Sequence, residues 1–504
     1  MGEKLEQLKQ HLYPYHDLQK VGAVLGWDQE VNMPNGGADA RAEQSATISA
    51  MAHDIFISDE VGKMLEEAEA EVESEGLDYD SDDASYVRVL RREYEKQAKL
   101  PTELVAEFSR VTSKAFIAWR EARAKDDYPH FQPHMQKVVD LCLKIAEIQG
   151  YEDHPYDALL DFYEPGVTTA QVEALFGDLK AGLVPLLNDI VERGAENSGA
   201  FFTEQDYDVD RQWDLTEVIL RDIGYDFKCG RQDKAPHPFT THFSSNDVRV
   251  TTRLFKNRPQ SAIFSSVHEG GHALYEQGIP DRFDRTILGG GATLGMHESQ
   301  SRMWENLLGR SRAFWRYYLP IVRAFFPEQL ADITHEQFYR AINMVEPSLI
   351  RVEADEVTYN MHIFVRFELE KDIMTGDLDV ADIPDAWNAK YEEYLGITPP
   401  DDADGCLQDV HWSHGTIGYF PTYTLGNIIS AQLYNRAKSD LPDLEADFEN
   451  GEFMPLLDWM REHVHAHGKK FTAGELLERE IGTGLDAQPL LDYLKAKYTD
   501  VYKL

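Results

Sequence analysis

The feature that most limits what this chain can fold into is His268-Glu269-Gly270-Gly271-His272. On an α-helix, residues four apart share a face, so both imidazoles can point at one metal ion. The flanking residues predict that helix. Pro259 suits a first turn, Ile263, Phe264 and Val267 supply apolar positions, and Gly278 with Pro280 beyond it marks a stop. Glu269, beside the first histidine, is placed to act on a water at such a metal.

A catalytic zinc takes three protein ligands and keeps one position for water. Candidates for the third lie in Met296-His297-Glu298-Ser299-Gln300. Glu298 follows His272 by 26 residues, which allows a loop and a return helix. The rival is His297. Neighbours on a helix point about 100° apart, so the two are not expected to share one ion, and spacing alone does not choose. The connector Gly289-Gly290-Gly291 is not followed by Gly-Lys-Ser/Thr, so no phosphate loop is read there.

The two motifs together resemble the M32 metallocarboxypeptidases, the carboxypeptidase Taq family. Further stretches are similar to that family: Trp27-Asp28-Gln29-Glu30 with Met33-Pro34, Tyr156-Asp157-Ala158-Leu159-Leu160, His237-Pro238-Phe239 and Asp247-x-Arg249-x-Thr251. Ile350-Arg351-x-x-Ala354-Asp355 and His411-Trp412-Ser413 with Gly418-Tyr419-Phe420-Pro421-Thr422-Tyr423 continue it to the C-terminal region. The resemblance implies a mainly α fold: a large helical metallopeptidase with a small β-sheet beside the zinc helix and a deep cleft. It implies one peptidase domain over 1–504, with 1–227 a helical part walling the cleft and 228–504 carrying the zinc site. It makes Glu298 the third ligand. It also implies a broad-specificity carboxypeptidase that uses Zn²⁺ (or Co²⁺), acts on peptides and forms a homodimer.

Charge excludes some partners. The chain has 89 acidic and 49 basic residues, a net −40. Nucleic acid and anionic membranes both need basic surface, so neither is expected. Acidic residues run along the whole chain, which points to a surface adapted to high salt, where screening relieves self-repulsion. No run of eighteen apolar residues predicts a membrane span. The polar start Met1-Gly2-Glu3-Lys4 has no signal core, and Glu6 breaks the myristoylation pattern. Three scattered cysteines, Cys142, Cys229 and Cys406, fit reduced thiols in a cytoplasmic protein.

Along the chain, residues 1–25 read as an amphipathic helix that ends at Leu25–Glu30. Helix resumes over 38–75, whose acidic Glu66–Glu75 run is a solvated face. Helical patterns over 84–150 break near Pro101 and Pro129. His130 and His134 are spaced like ligands, but Pro133 intervenes and no carboxylate partner is apparent. Residues 236–243 and 247–254 read as two strands. Helix is expected again to about 325, over 335–376, and from 431 onward. His463, His465 and His467 alternate and are splayed, so no metal is read there.

Roles follow for the remaining candidates. An exopeptidase must hold a free carboxylate, and Arg351 can clamp it; the alternative is an internal salt bridge to Glu353, Asp355 or Glu356. Asp355 is a candidate to orient Arg351 or a ligand histidine. Arg249 is either a substrate contact or a structural partner of Asp247, and His237 is a further substrate-side candidate. Tyr423 and His411, with His414 the alternative, are candidate donors to the oxyanion of the tetrahedral intermediate. Two other functions fit the same motif. One is an endo-acting oligopeptidase; the other is an acidic scaffold that keeps the metal structurally.

Overall fold

The computed structural model describes residues 2–194 and 199–504. The N-terminal helix runs Glu3–Val31, past the stop expected at Leu25–Glu30. Leu5, Leu8 and Leu12 bury one face, and Trp27 extends the buried set to its last turn. The expected helix over 38–75 is two, Ala38–Phe56 and Asp59–Glu75. Ser58 makes the break: its side chain accepts from the Val61 amide and caps the second helix. The breaks at Pro101 and Pro129 occur as expected, between helices Asp82–Ala98, Thr102–Lys125 and Tyr128–Gln149.

The sheet has three strands where two were expected: β1 (Gly230–Lys234), β2 (Thr240–Ser244) and β3 (Asp247–Thr252). Their order is β1-β3-β2, with β1 parallel and β2 antiparallel to β3. Central β3 buries Val248 and Val250. Its last residue is tied to the His-Glu helix, Pro259–Gly278, because the Ser266 hydroxyl donates to Thr252 Oγ1 at 2.9 Å.

The described chain divides into two compact units. The first joins Met1–Ala98, Ser198–Ile342 and Leu433–Gly482. It contains the sheet and, buried along most of its length, the His-Glu helix. A return helix, Leu294–Arg302, runs straight into a π-helical turn, Met303–Leu308. The wider π turn interrupts the helix expected to continue to 325; such turns inside α-helices are frequent at functional sites.

The second unit joins Lys99–Asn197, Asn343–Gln432 and Thr483–Leu504. Its centre is helix Thr358–Thr375, which is buried on all sides, as a helix surrounded by others must be. Phe364 and Phe367 pack on Phe176 with ring centroids 5.2 Å apart. The helix expected over 335–376 is interrupted. Helix His335–Ile342 ends, an irregular stretch follows, and Arg351–Glu353 forms a 3-10 turn before Thr358. Among the described residues, no helix is long and apolar enough to cross a membrane.

Candidate metal centre and active-site residues

The two glycines inside the motif explain how the site is assembled. A Cβ on Gly271 would lie 2.6 Å from Ser301 Cα and 2.7 Å from the Gln300 carbonyl oxygen. One on Gly270 would lie 2.7 Å from Leu220 Cδ2. Backbone therefore packs on backbone where the return helix meets the His-Glu helix. That approach carries Glu298 to the histidines. Its Oε2 is 3.7 Å from His268 Nε2 and 3.4 Å from His272 Nε2. One ligand atom from each of the three residues lies within 4.8 Å of the others.

Those spacings suit a cation. A tetrahedral ion with bonds of about 2.1 Å holds its ligand atoms about 3.4 Å apart. The atoms turned away from the cluster are all occupied. His268 Nδ1 is 2.9 Å from Glu305 Oε2, on the π turn. Glu298 Oε1 accepts from Arg302 Nε at 2.6 Å. His272 Nδ1 is 2.6 Å from His297 Nδ1, and His297 Nε2 is 2.8 Å from Glu276 Oε1. The chain is satisfied when His272 donates from Nδ1 and His297 donates from Nε2, which leaves His272 Nε2 with a free lone pair. The donor set of two imidazole nitrogens and one carboxylate oxygen thus fits a divalent metal. His297, the rival ligand, is turned to the outer nitrogen of His272.

Burial would lower His268, but Glu298 and Glu305 outweigh it and push it up; the other groups agree with that donor set. Burial would raise the carboxyl of Glu298, but Arg302 and the two histidines hold it well below the usual carboxylate range. Burial pushes His272 down to about 4, so its ring is neutral. Burial also opposes ionisation of Glu276 and Glu305, yet His242 and His297 hold the first down to about 2, and His268 and Arg302 the second. Glu269 differs. Burial pushes it up, with only partial compensation from His268 and the Thr240 hydroxyl. That hydroxyl, on β2, lies 2.7 Å from Glu269 Oε2. A buried carboxylate raised in this way is a better proton acceptor than an exposed one.

The second unit holds a separate polar cluster. Arg351 is buried, and its partner is none of the three acids near it in sequence. Nε and Nη2 donate to Asp409 Oδ1 at 3.1 and 2.8 Å, and Nη1 donates to the Tyr359 hydroxyl at 3.0 Å. Arg366, fully buried, donates from Nε to the other Asp409 oxygen at 2.6 Å. Two guanidiniums thus share one carboxylate. His411 Nε2 is 3.3 Å from the Tyr423 hydroxyl, and the Arg351 guanidinium lies 4.9 Å from the Tyr423 ring centroid. Burial, with help from both arginines, pushes His411 down to about 4, so its ring is neutral. His414 is elsewhere, stacked on Phe116 at 5.0 Å.

Other candidates are engaged in the fold. Arg249 donates from Nε and Nη2 to Asp247 at 2.8 and 2.9 Å and lies over the Trp27 ring at 4.3 Å. Asp355 caps helix Thr358–Thr375: its Oδ1 accepts from the Val357 and Thr358 amides and its Oδ2 from the Thr358 hydroxyl. It also accepts from the Glu346 amide, so its hydrogen bonds go to backbone and hydroxyl, not to Arg351. His237 is exposed on the bend between β1 and β2. Residues not foreseen are Thr240, Glu276, Arg302, Glu305 and Asp409. Helical spacing carried a signal for three of them. Glu276 is four residues past His272, and Arg302 and Glu305 are four and seven past Glu298. Asp409 had none.

Comparison with known proteins bears on the whole chain. Residues 7–498 match the family model of the carboxypeptidase Taq (M32) metallopeptidases. The chain is 42% identical to thermostable carboxypeptidase 1 of Thermus thermophilus over 496 residues, covering 96% of each protein. It is 40% identical to carboxypeptidase 1 of Bacillus subtilis over 482 residues, covering 96% of this chain and 95% of that protein. In structure it superposes on the M32 carboxypeptidase of Deinococcus radiodurans with a TM-score of 0.96, at 43% identity and full coverage of both chains. The chain belongs to the M32 family of metallocarboxypeptidases.

Proposed function

We propose that the protein is a zinc-dependent (or cobalt-dependent) carboxypeptidase that releases single C-terminal residues with broad specificity. The observation that carries this reading is the convergence of His268 Nε2, His272 Nε2 and Glu298 Oε2, with Glu269 on the same helix. His268, His272 and Glu298 hold the metal. When bound, the metal supplies Lewis acidity, which lowers the pKa of water and polarises the scissile carbonyl. Glu269 takes the proton from the attacking water and passes it to the leaving amine. The Thr240 hydroxyl keeps Glu269 Oε2 oriented.

Tyr423 and His411 donate to the oxyanion as the carbonyl becomes tetrahedral, each worth about 3 kcal/mol. Arg351 anchors the terminal carboxylate. Its setting supports that role, because Asp409 neutralises one of two buried guanidiniums and the pair retains a positive charge for an anionic group. β2, at the edge of the sheet, offers backbone for pairing with an extended peptide, and Arg249 on the central β3 and His237 on the bend before β2 are assigned as further substrate contacts. Asp355 serves by fixing the start of the helix that follows Arg351. We assign the whole chain to one peptidase domain that works as a cytoplasmic homodimer; its three cysteines are free, as a reducing compartment allows.

The test is mass spectrometry of mixed peptides, each offered as free acid and as C-terminal amide, with Zn²⁺ or Co²⁺. Loss of single residues from free acids alone is expected. Internal cleavage of both forms would establish an oligopeptidase and retire the Arg351 anchor.

A further inference from the structure

We infer that Glu370 is a positioning residue that fixes the segment carrying His411 and Tyr423; the inference rests on their proposed role as oxyanion donors. Glu370 lies on the central helix Thr358–Thr375 and is fully buried. Its Oε1 accepts from Trp412 Nε1 at 2.8 Å. Its Oε2 accepts from the Gly418 amide at 3.1 Å and from the Tyr156 hydroxyl at 2.7 Å. Trp412 is the neighbour of His411. Gly418 is the neighbour of Tyr419, whose ring packs on both His411 and Tyr423 at 5.5 and 5.4 Å. One carboxylate therefore pins both ends of the turn between the two donors.

The turn's other hydrogen bonds are local: the Thr416 amide and hydroxyl donate to the His411 carbonyl at 3.2 and 2.9 Å, and the Ser413 hydroxyl to the Val410 carbonyl at 2.7 Å. Gly415 and Gly418 both adopt positive φ, at 70° and 95°. A Cβ on Gly418 would lie 2.9 Å from the backbone of Leu159 and Leu160, so the turn is seated against helix Pro155–Leu160, which also supplies Tyr156. Glu370 is a costly fastener. Burial pushes it up to about 7, and its hydrogen bonds come from neutral donors only. Arg366, one turn earlier, is held by Asp409. Around it stand the Tyr156 and Tyr163 hydroxyls and the Cys142 thiol.

The chemistry selects glutamate over its amide. Two of the three donors, an indole N–H and a backbone N–H, cannot accept. A carboxylate, ionised or protonated towards Tyr156, still accepts from both. A glutamine has one accepting oxygen, so its NH₂ must face Trp412 or Gly418 donor to donor and release one end of the turn.

The experiment is a double-mutant cycle between Glu370→Gln and Tyr423→Phe in the metal-loaded enzyme, with KM, kcat and bound metal measured for each. E370Q is expected to lower kcat by about tenfold or more, leave KM within about threefold and leave the bound metal unchanged. The double variant is expected to be no slower than the slower single variant. An unchanged kcat in E370Q, or losses that multiply, would overturn the inference while Tyr423→Phe remained impaired. Full kcat in both Tyr423→Phe and His411→Ala would instead sink the donor assignment, and this inference with it. If E370Q does not fold, Trp412→Phe removes the indole donor and keeps an aromatic ring. It must then show the same kcat-selective loss, and an unchanged kcat again overturns the assignment.

Discussion

At Glu269 the difference between a ligand and a base can be measured. The three proposed metal ligands are other residues, so Glu269→Gln should leave bound metal unchanged while lowering kcat by about 10²–10⁴-fold. Metal content by mass spectrometry and turnover on one peptide check both halves. Undiminished turnover would remove Glu269 from the proton path. His16 makes a second residue-scale prediction. It is 7% exposed, its Nε2 has no hydrogen-bond partner among the described residues, and burial, with Lys20 nearby, pushes it down to about 4. Its folded pKa lies below the unfolded value of 6.5, so between pH 4 and 6.5 the unfolded chain binds more protons. Stability from this group is full above pH 6.5 and falls as pH drops through that window, by about 3 kcal/mol at most. Relative to the parent, His16→Asn should lose less urea stability between pH 7 and 4.5; equal losses would exclude it. The sequence made His268 and His272 legible because a helix imposes the i, i+4 relation. It could not separate His297 from Glu298 by spacing, since that depends on which way the return helix is rotated. Asp409 stayed hidden because its bond to Arg351 spans 58 positions of chain.

Between elements, Gly271 sets the distance that the site depends on. Gly271→Ala would place a methyl against the Ser301 and Gln300 backbone, which cannot rotate away. It should cost about 1–3 kcal/mol of stability and weaken metal binding by displacing Glu298. Gly290→Ala, where a Cβ meets nothing within 4 Å, is the matched control and should be neutral on both counts. Urea titration and metal competition on the two variants decide the point; a neutral Gly271→Ala would mean the return helix can move without loss. This packing also shows which elements sequence reveals. Helices with an apolar stripe were readable, and Pro101 and Pro129 marked their ends. β1 was not, because Arg231-Gln232-Asp233-Lys234 carries no branched or aromatic pattern and is a strand only by pairing with β3. The break at 343–357 was missed for the opposite reason, as apolar residues continue through it while the backbone turns at Arg351.

Across the whole molecule, charge rather than packing sets the response to solvent. The net −40 comes from acidic residues spread along the whole chain. Helix Asp59–Glu75 is an extreme case against the chain's 89 acidic to 49 basic residues: it buries Val61, Leu65 and Ala68 and carries eight acidic residues against Lys63. Two effects of salt compete. Screening weakens favourable exposed pairs such as Arg285–Asp17, at 2.6 Å and about half exposed on each side, but such pairs contribute little. It also weakens repulsion among the excess acids, which acts over the full Debye length, about 30 Å at 0.01 M and about 3 Å at 1 M salt. With 40 more acidic than basic residues, the repulsive sum is the larger. Urea unfolding in 10 mM and 1 M KCl should therefore show the protein more stable in high salt, by more than about 1 kcal/mol to clear extrapolation error. Peptidase activity should be retained in molar salt, since the proposed ligands His268, His272 and Glu298 lie at contact distance inside one unit, where screening is weak. A stability that falls with salt would mean the surface pairs dominate, and the acidic excess would then be no adaptation to a saline interior.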